Sequence, residues 1–492
     1  MKPIPSHKLA LRYLTLIGWL LTFVLVAAAQ ATSLPPSVKN ELKKANIPQS
    51  GIAIVVQEIG RPKPLLRLNA AQAMNPASTM KLLTTFAALD LLGPAYTWKT
   101  EAYLDGTLEN GVLDGDLILK GYGDPKFTIE QFWLWLTELR SRGLREIRGD
   151  LVLDRRHFDL PPFDSGAFDN DPVRAYNVGP DALLLNFNTL RLRYLPTGDA
   201  LNVFAEPPLD GITLDNRLAP QPSGDCRNWD DGIDVQPHGD SVVLQGGYPG
   251  ECGEREHNLN LMPHTRYVEA VFRALWKELG GTLQGRQHEG AAGDHALLFS
   301  THRSEPLGLT IRDINKYSNN VMARQLFLTL GDTSPQHAEN DDEANTPQVI
   351  APQTLSIARS VQTVHDWLQQ QNLDFPELVL ENGAGLSRIE RISADHMATL
   401  LQRAAIHPLS AELQASLPIL GVDGTMRKRL KEHASSGHAH LKGGTLEGVK
   451  TLAGYVRSKS GKEWVVVCFI NDPNARNGKA AQDALVEWVQ GR

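Results

Sequence analysis

Cysteine is scarce in this chain, with three thiols in 492 residues, which excludes a scaffold built on a disulfide framework. The 15 histidines form no cluster with metal-ligand spacing, and pairs such as His438 and His440 fit an exposed strand end better than a zinc site. No metal and no cofactor are therefore expected. A Gly-x-Ser-x-Gly elbow is missing, which argues against a general serine esterase. No internal repeat occurs. A basic excess is lacking too: the net charge of −7 and pI near 6.1 give no reason to expect a nucleic-acid partner. Long apolar runs are also absent, save residues 14–29, which fall short of the ~20 residues a spanning helix needs.

What is present describes an ordinary globular protein, with 42% hydrophobic and 21% charged residues. The length predicts two or three domains. Lys2, Lys8 and Arg12 precede the apolar run, and Ala29-Gln30-Ala31 after it fits a cleavage site, so residues 1–31 read as a signal peptide. The mature chain would then work outside the cytoplasm, with at most peripheral membrane association. Cys226 and Cys252 lie in a stretch rich in turns, where their spacing permits a bridge without proving one. Cys468 falls inside an apolar strand pattern and reads as a core residue.

Periodicity divides the mature chain. Strand patterns at 51–57 and 65–68 precede a helix over 78–92, which Gly93-Pro94 ends. From about 98 to 288 the texture changes to short strands, such as 113–119, 151–153, 183–194 and 241–244, with helices near 128–142 and 267–279. Helices return at 319–330, 354–370 and 395–407, and the charge run at 339–343 reads as a solvated loop. The end of the chain reads strand, strand, strand, helix over 438–442, 451–457, 464–470 and 480–490. The N-terminal and C-terminal parts, 32–97 and 289–492, are expected to form one domain. Residues 98–288 would be a mainly β insertion, in one or two nested units, in a loop where closure entropy tolerates length.

Three segments carry chemistry. In Ala77-Ser78-Thr79-Met80-Lys81 a hydroxyl stands three positions before an amine, on one face of a helix. No other serine of the chain has lysine at that spacing. Ser318-Asn319-Asn320 and Lys442-Gly443-Gly444-Thr445 follow in that order. Serine becomes a nucleophile only when a base takes its proton. Lys81 can be that base if burial or a neighbouring cation lowers its pKa, and Lys442 is the candidate cation. Taken singly, the second segment reads as a helix cap and the third as a glycine-rich turn. Lys459-Ser460-Gly461 mimics the third segment but lies between two strand patterns, as a hairpin turn does.

In order, the three segments match the Ser-x-x-Lys, Ser-x-Asn and Lys-Thr-Gly set of penicillin-recognising serine enzymes. The chain resembles the D-alanyl-D-alanine carboxypeptidase/endopeptidases of the class C low-molecular-mass penicillin-binding protein type. Gly121-Tyr-Gly-Asp-Pro125, Gly149-Asp-Leu-Val-Leu-Asp154, Asn382-Gly-Ala-Gly-Leu-Ser-Arg388, Gly421-Val-Asp-Gly-Thr425 and Leu452-Ala-Gly-Tyr455 extend the likeness over essentially the whole mature chain. The resemblance implies an α+β fold: a β-lactamase/transpeptidase-like antiparallel sheet flanked by helices, with the large mainly β insertion. It makes Ser78 the acyl-enzyme nucleophile, Lys81 its base and Ser318 a proton relay. Asn320, Lys442, Gly444 and Thr445 become substrate-binding residues. The implied partners are peptidoglycan stem peptides in the periplasm, with β-lactams as covalent inhibitors. Asp423 and Ser387 also match, and loop structure explains them equally well.

Two departures stand out. Gly443 replaces the threonine of Lys-Thr-Gly, so a hydroxyl for the substrate's terminal carboxylate is missing, and Thr445 or a preference for internal cross-links would compensate. Asn382 and Ala384 alter the glycine-rich loop with little consequence. A β-lactamase shares the three segments but would be far shorter. The remaining alternative is a non-catalytic peptidoglycan- or penicillin-binding protein whose third segment has decayed.

Overall fold

The computed structural model describes residues 33–198, 200–332 and 355–492. The expected signal peptide and the charge run at 339–343 lie outside the described residues. Helix α1 (Pro36–Lys44) leads into strands β1 (Ile52–Glu58) and β2 (Leu66–Leu68), then a 3-10 turn, Ala77–Met80, that opens helix α2 (Lys81–Leu92). The inserted region contributes β3 (Lys99–Glu109), β4 (Val112–Gly121), α3 (Ile129–Ser141), β5 (Leu151–Asp154), α4 (His264–Glu278), β6 (Gln287–Glu289) and β7 (Leu297–Arg303). Helices α5 (Leu307–Tyr317), α6 (Asn320–Thr329), α7 (Ile357–Gln370) and α8 (Ala394–Ala405) follow. Strands β8 (Ala439–Leu446), β9 (Val449–Arg457) and β10 (Glu463–Asn471) and helix α9 (Lys479–Gln490) close the chain.

The first and last strands share one antiparallel sheet in the order β8-β9-β10-β1-β2. Successive residues of a strand face opposite sides, and here both sides are covered, so the central strands are apolar throughout. Ala53, Val55, Val465, Val467 and Phe469 pack with Leu82, Leu83 and Phe86 of α2 and Leu400 and Leu401 of α8. Ile52, Ile54, Val56, Val466, Cys468 and Ile470 pack on the other side with α1 and α9. Cys468 is a buried free thiol of that second layer. Strand β8 stands at the edge, open along part of its length, and the 459–461 turn joins β9 to β10, away from the site.

The inserted region folds around its own sheet. Antiparallel β3 and β4 are extended by β5 and β6, which run parallel to β4, and β7 returns antiparallel to β3. Phe132, Trp135, Phe272 and Trp276 of α3 and α4 fill the core against it. Two three-stranded sheets between residues 190 and 259 form a smaller unit around Tyr194 and Tyr248. A disulfide links Cys226 and Cys252 within it. The outgoing and returning chains are tied where they meet: Trp98 N–H donates to Ser304 Oγ at 3.0 Å and Ser304 N–H to the Trp98 carbonyl at 2.9 Å. Strand β7 thus carries the inserted sheet past residue 288, where the sequence pattern places its end. Leu297 and Leu298 are exposed on that edge strand, so their apolar character gives no register there.

The strand expected over 183–194 begins only at Leu190. Asn186, Phe187 and Asn188 adopt left-handed backbone, with φ of 46°, 56° and 50°, a conformation that asparagine tolerates better than most residues. Asn188 Nδ2 donates to Asn260 Oδ1 and to the Met262 carbonyl, both at 2.9 Å, which holds the kink.

Candidate active site

Residues 75–81 form a clamped turn. Asn75 N–H donates to Asn471 Oδ1 at 2.7 Å, Asn471 Nδ2 returns a bond to the Asn75 carbonyl at 3.1 Å, and Asn75 Nδ2 donates to the Ser387 carbonyl at 2.8 Å. Ala77, with φ of 44°, donates its N–H to Asn75 Oδ1 at 2.8 Å. The clamp fixes the 3-10 turn that carries Ser78, and Lys81 opens α2 one turn later.

Lys81 is completely buried. Its Nζ lies 2.8 Å from Asn320 Oδ1, 3.3 Å from Ser78 Oγ and in a short contact with the Ala384 carbonyl. Burial drives its pKa well below the ordinary lysine value, and the positive charge of Lys442 pushes the same way. A neutral amine has two N–H groups and one lone pair. Asn320 Oδ1 and the Ala384 carbonyl can only accept, so they take both N–H groups and leave the lone pair toward Ser78.

Helix α5 ends at Ser318 in the left-handed conformation, φ 59° and ψ 35°, and Asn319 caps α6 by accepting from Met322 N–H at 3.1 Å. Cap and site therefore coexist, because different residues do each. Ser318 Oγ accepts from Lys442 Nζ at 2.7 Å. Lys442, on β8, is fully buried, and burial lowers its pKa to about 7. The two residues of the second segment thus meet the two lysines of the others. Asn320 Nδ2 also donates one N–H to the Tyr176 carbonyl, in the inserted region, at 3.2 Å.

Gly444 brings the edge strand against the turn. A Cβ there would fall 2.7 Å from Ser78 N and 2.8 Å from Ala77 Cβ, so only glycine fits. Leu441 N–H leaves the β9 side to bond the Pro418 carbonyl. By the alternation of antiparallel pairing, the N–H groups of Gly443 and Thr445 point the same way, along the open edge. Thr445 is exposed, with Oγ1 accepting from Lys450 Nζ at 3.2 Å. At Gly443 a Cβ would meet the Met426 methyl at 2.8 Å. Asp423 pairs with Lys316 at 2.6 Å and accepts from Ile419 N–H, and Ser387 Oγ accepts from the N–H groups of Ile389 and Glu390, so both hold loops.

Sequence reasoning passed over Asn75, Asn471, Arg324 and Glu390. Arg324 is buried beneath the inserted region, with Nη1 donating to the Val178 carbonyl at 2.6 Å. A signal existed only for Asn75, whose Asn-Pro pair marks a turn before the helix. A cavity of about 1120 Å³ opens between the inserted region and the 382–389 loop, with Phe163, Phe168, Asn382 and Arg388 on its walls.

The family model described as the D-Ala-D-Ala carboxypeptidase 3 (S13) family matches residues 34–491. The chain is 26% identical over 438 residues to D-alanyl-D-alanine carboxypeptidase DacB of Haemophilus influenzae, covering 86% of this chain and 85% of that one. It is 25% identical over 491 residues to a D-alanyl-D-alanine carboxypeptidase of an Actinomadura species, covering 96% and 87%. The crystal structure of penicillin-binding protein 4 from H. influenzae superposes with a TM-score of 0.74 at 24% identity, over 92% of this chain and all of that one.

Proposed function

The chain belongs to the D-Ala-D-Ala carboxypeptidase 3 (S13) family, and from that premise we propose that it is a serine D,D-peptidase acting through an acyl-enzyme on Ser78. Its substrates would be the D-alanyl-D-alanine ends or D-alanyl-diaminopimelate cross-links of peptidoglycan stem peptides, with β-lactams acylating the same serine. The observation that carries the reading is the placement of a buried, pKa-lowered lysine 3.3 Å from a partly exposed serine.

The steps follow from the contacts. Ser78 Oγ attacks the scissile carbonyl as its proton passes to the Lys81 lone pair. Negative charge on the carbonyl oxygen is met by the N–H groups of Ser78 and Thr445. The Ser318 hydroxyl, which accepts from Lys442 Nζ, hands its proton to the leaving amine and takes one from that ammonium as the C–N bond breaks. Water then attacks the ester, its proton returns through Ser318 to Lys442, and Lys81 gives Ser78 back the proton it took. The stem peptide on the acyl side would occupy the cavity beside Arg388.

Gly443 supports a preference for internal cross-links over free C-terminal carboxylates, since no side chain reaches from that position toward the leaving residue. The reading places the mature enzyme in the periplasm after removal of residues 1–31. No described helix is long and apolar enough to cross a membrane.

The test is labelling of the purified protein with a fluorescent penicillin, beside Ser78→Ala, with the adduct mapped by peptide mass spectrometry. A stoichiometric label on Ser78 that the variant loses is expected. A well-folded wild type that takes no label would instead make this a binding protein with a decayed third segment.

A further inference from the structure

We propose that Glu390 is a positioning residue for Lys81: it holds the turn whose Ala384 carbonyl accepts from the amine, and it sets a negative charge facing the amine against two cations. This rests on the acyl-enzyme reading above.

Glu390 is completely buried. Burial pushes its carboxyl above the ordinary carboxylate pKa, backbone N–H donors and Lys81 pull it back, and it keeps its charge only as far as such donors replace its water. Its Oε1 accepts from the N–H groups of Glu381, Asn382 and Gly383 at 3.1, 3.0 and 2.9 Å. Its own N–H is fixed by Ser387 Oγ at 3.0 Å. One residue beyond that three-donor cradle, the Ala384 carbonyl meets Lys81 Nζ, and the Gly383 carbonyl accepts from Thr84 Oγ1 of α2 at 2.6 Å. Gly385, with φ of 77°, presses so closely on Ala77 that a Cβ would sit 1.8 Å from its carbonyl oxygen. The loop is therefore locked to the nucleophile turn, and Glu390 is the pin behind it.

The charge has its own consequence. Lys81 on α2 feels the charges of Lys442 on β8, Glu390 on the loop and Arg324 on α6. Burial and the two cations lower its pKa, whereas Glu390 raises it. Glu390 Oε2 has no hydrogen-bond partner among the described residues, so no local donor screens that oxygen. Without the carboxylate the amine's pKa would fall further, and a weaker base takes a serine proton less readily.

The measurement is the second-order rate of penicillin acylation between about pH 5 and 9 for the mature protein, Glu390→Gln and Glu390→Ala, with a melting curve for each. Glutamine keeps an acceptor oxygen but not the charge. Its acid limb is expected to move to lower pH by roughly half a pH unit or more, with a plateau reduced several-fold and a near wild-type melting temperature. Alanine strands three N–H groups and is expected to lose both rate and melting temperature. A Glu390→Gln profile superimposable on wild type would overturn the proposal, as would one lowered equally at every pH. Should wild type itself take no label, the acyl-enzyme reading fails separately. The Lys81 titration followed by NMR of 13C-labelled lysine then still decides, with a lower pKa in Glu390→Gln expected and an unchanged one overturning the inference.

Discussion

Lys81 and Asn320 stand 239 residues apart in the chain and 2.8 Å apart in the fold. The same amide reaches the Tyr176 carbonyl at 3.2 Å, so one side chain ties Lys81, at the start of α2, to the inserted region. The insertion is thus part of the wall of the site, and the orientation of Lys81 depends on it.

Replacing Asn320 with alanine should free one Lys81 N–H and let the amine turn from Ser78. Acylation by penicillin is expected to fall by about 10²-fold, and the stranded donor should cost about 1–3 kcal/mol of stability. Asn320→Asp should behave differently. Its charge would raise the Lys81 pKa and move the acid limb of acylation to higher pH. Stopped-flow acylation rates and urea unfolding would check both.

Lys442 gives a pH dependence of stability. Its pKa is about 7 in the fold against an ordinary 10.5. Below about pH 7 both folded and unfolded chains hold the proton, and the burial penalty is felt in full. As pH rises toward the ordinary lysine value, the folded protein has released a proton that the unfolded chain still binds. Stability gains with pH across that window. Wild type should therefore improve relative to Lys442→Met between about pH 7 and 10, measured as the difference of their unfolding free energies. A difference independent of pH would place the proton elsewhere.

The Ser78–Lys81 spacing was legible because it is local: the two residues share one turn, and the demand that a lysine base have a depressed pKa follows from chemistry alone. The closing strands were legible because their patterns are rich in apolar residues, whereas their antiparallel arrangement was what the family resemblance implied. Glu390 was not legible. It stands in Arg388-Ile-Glu-Arg391, which reads as an exposed polar loop, yet in the fold it is buried and bound by the N–H groups of residues 381–383. The 183–194 segment failed for the opposite reason. Its apolar residues suggest a strand, but three left-handed residues break it, and the side chains at 183 and 185 are buried without ladder pairing.

The Cys226–Cys252 bridge closes a loop with a sequence separation of 26 residues. Loop-closure entropy puts its contribution at about 3.5 kcal/mol, confined to the small β unit of the insertion. Reduction should lower the melting temperature and speed proteolysis between residues 210 and 255, while penicillin acylation below the transition stays unchanged. A matching loss of acylation would mean that the small unit transmits order to Ser78.

Gly443 and Gly444 are neighbours with opposite expected responses. A methyl at Gly444 would collide with Ser78 N at 2.7 Å and Thr451 Oγ1 at 2.4 Å. The backbone of the clamped Ser78 turn cannot yield, so the strand must retreat. A displacement near 1 Å is enough to cost about 10²-fold in rate, and Gly444→Ala should lose acylation to that extent while still folding. At Gly443 the added atom meets only the Met426 methyl at 2.8 Å, with its next neighbour, the Thr451 carbonyl, at 3.8 Å. That methyl ends a flexible side chain and can swing aside. Gly443→Thr should therefore fold and place a hydroxyl where a terminal carboxylate would lie. The expected result is a several-fold rise in kcat/KM on a pentapeptide ending in free D-alanine, with little change on a cross-linked dimer. Met426→Ala should add to it by clearing the space. If wild type already cleaves the pentapeptide clearly faster than the dimer, Thr445 with Lys450 supplies what Gly443 lacks, and the cross-link preference is wrong.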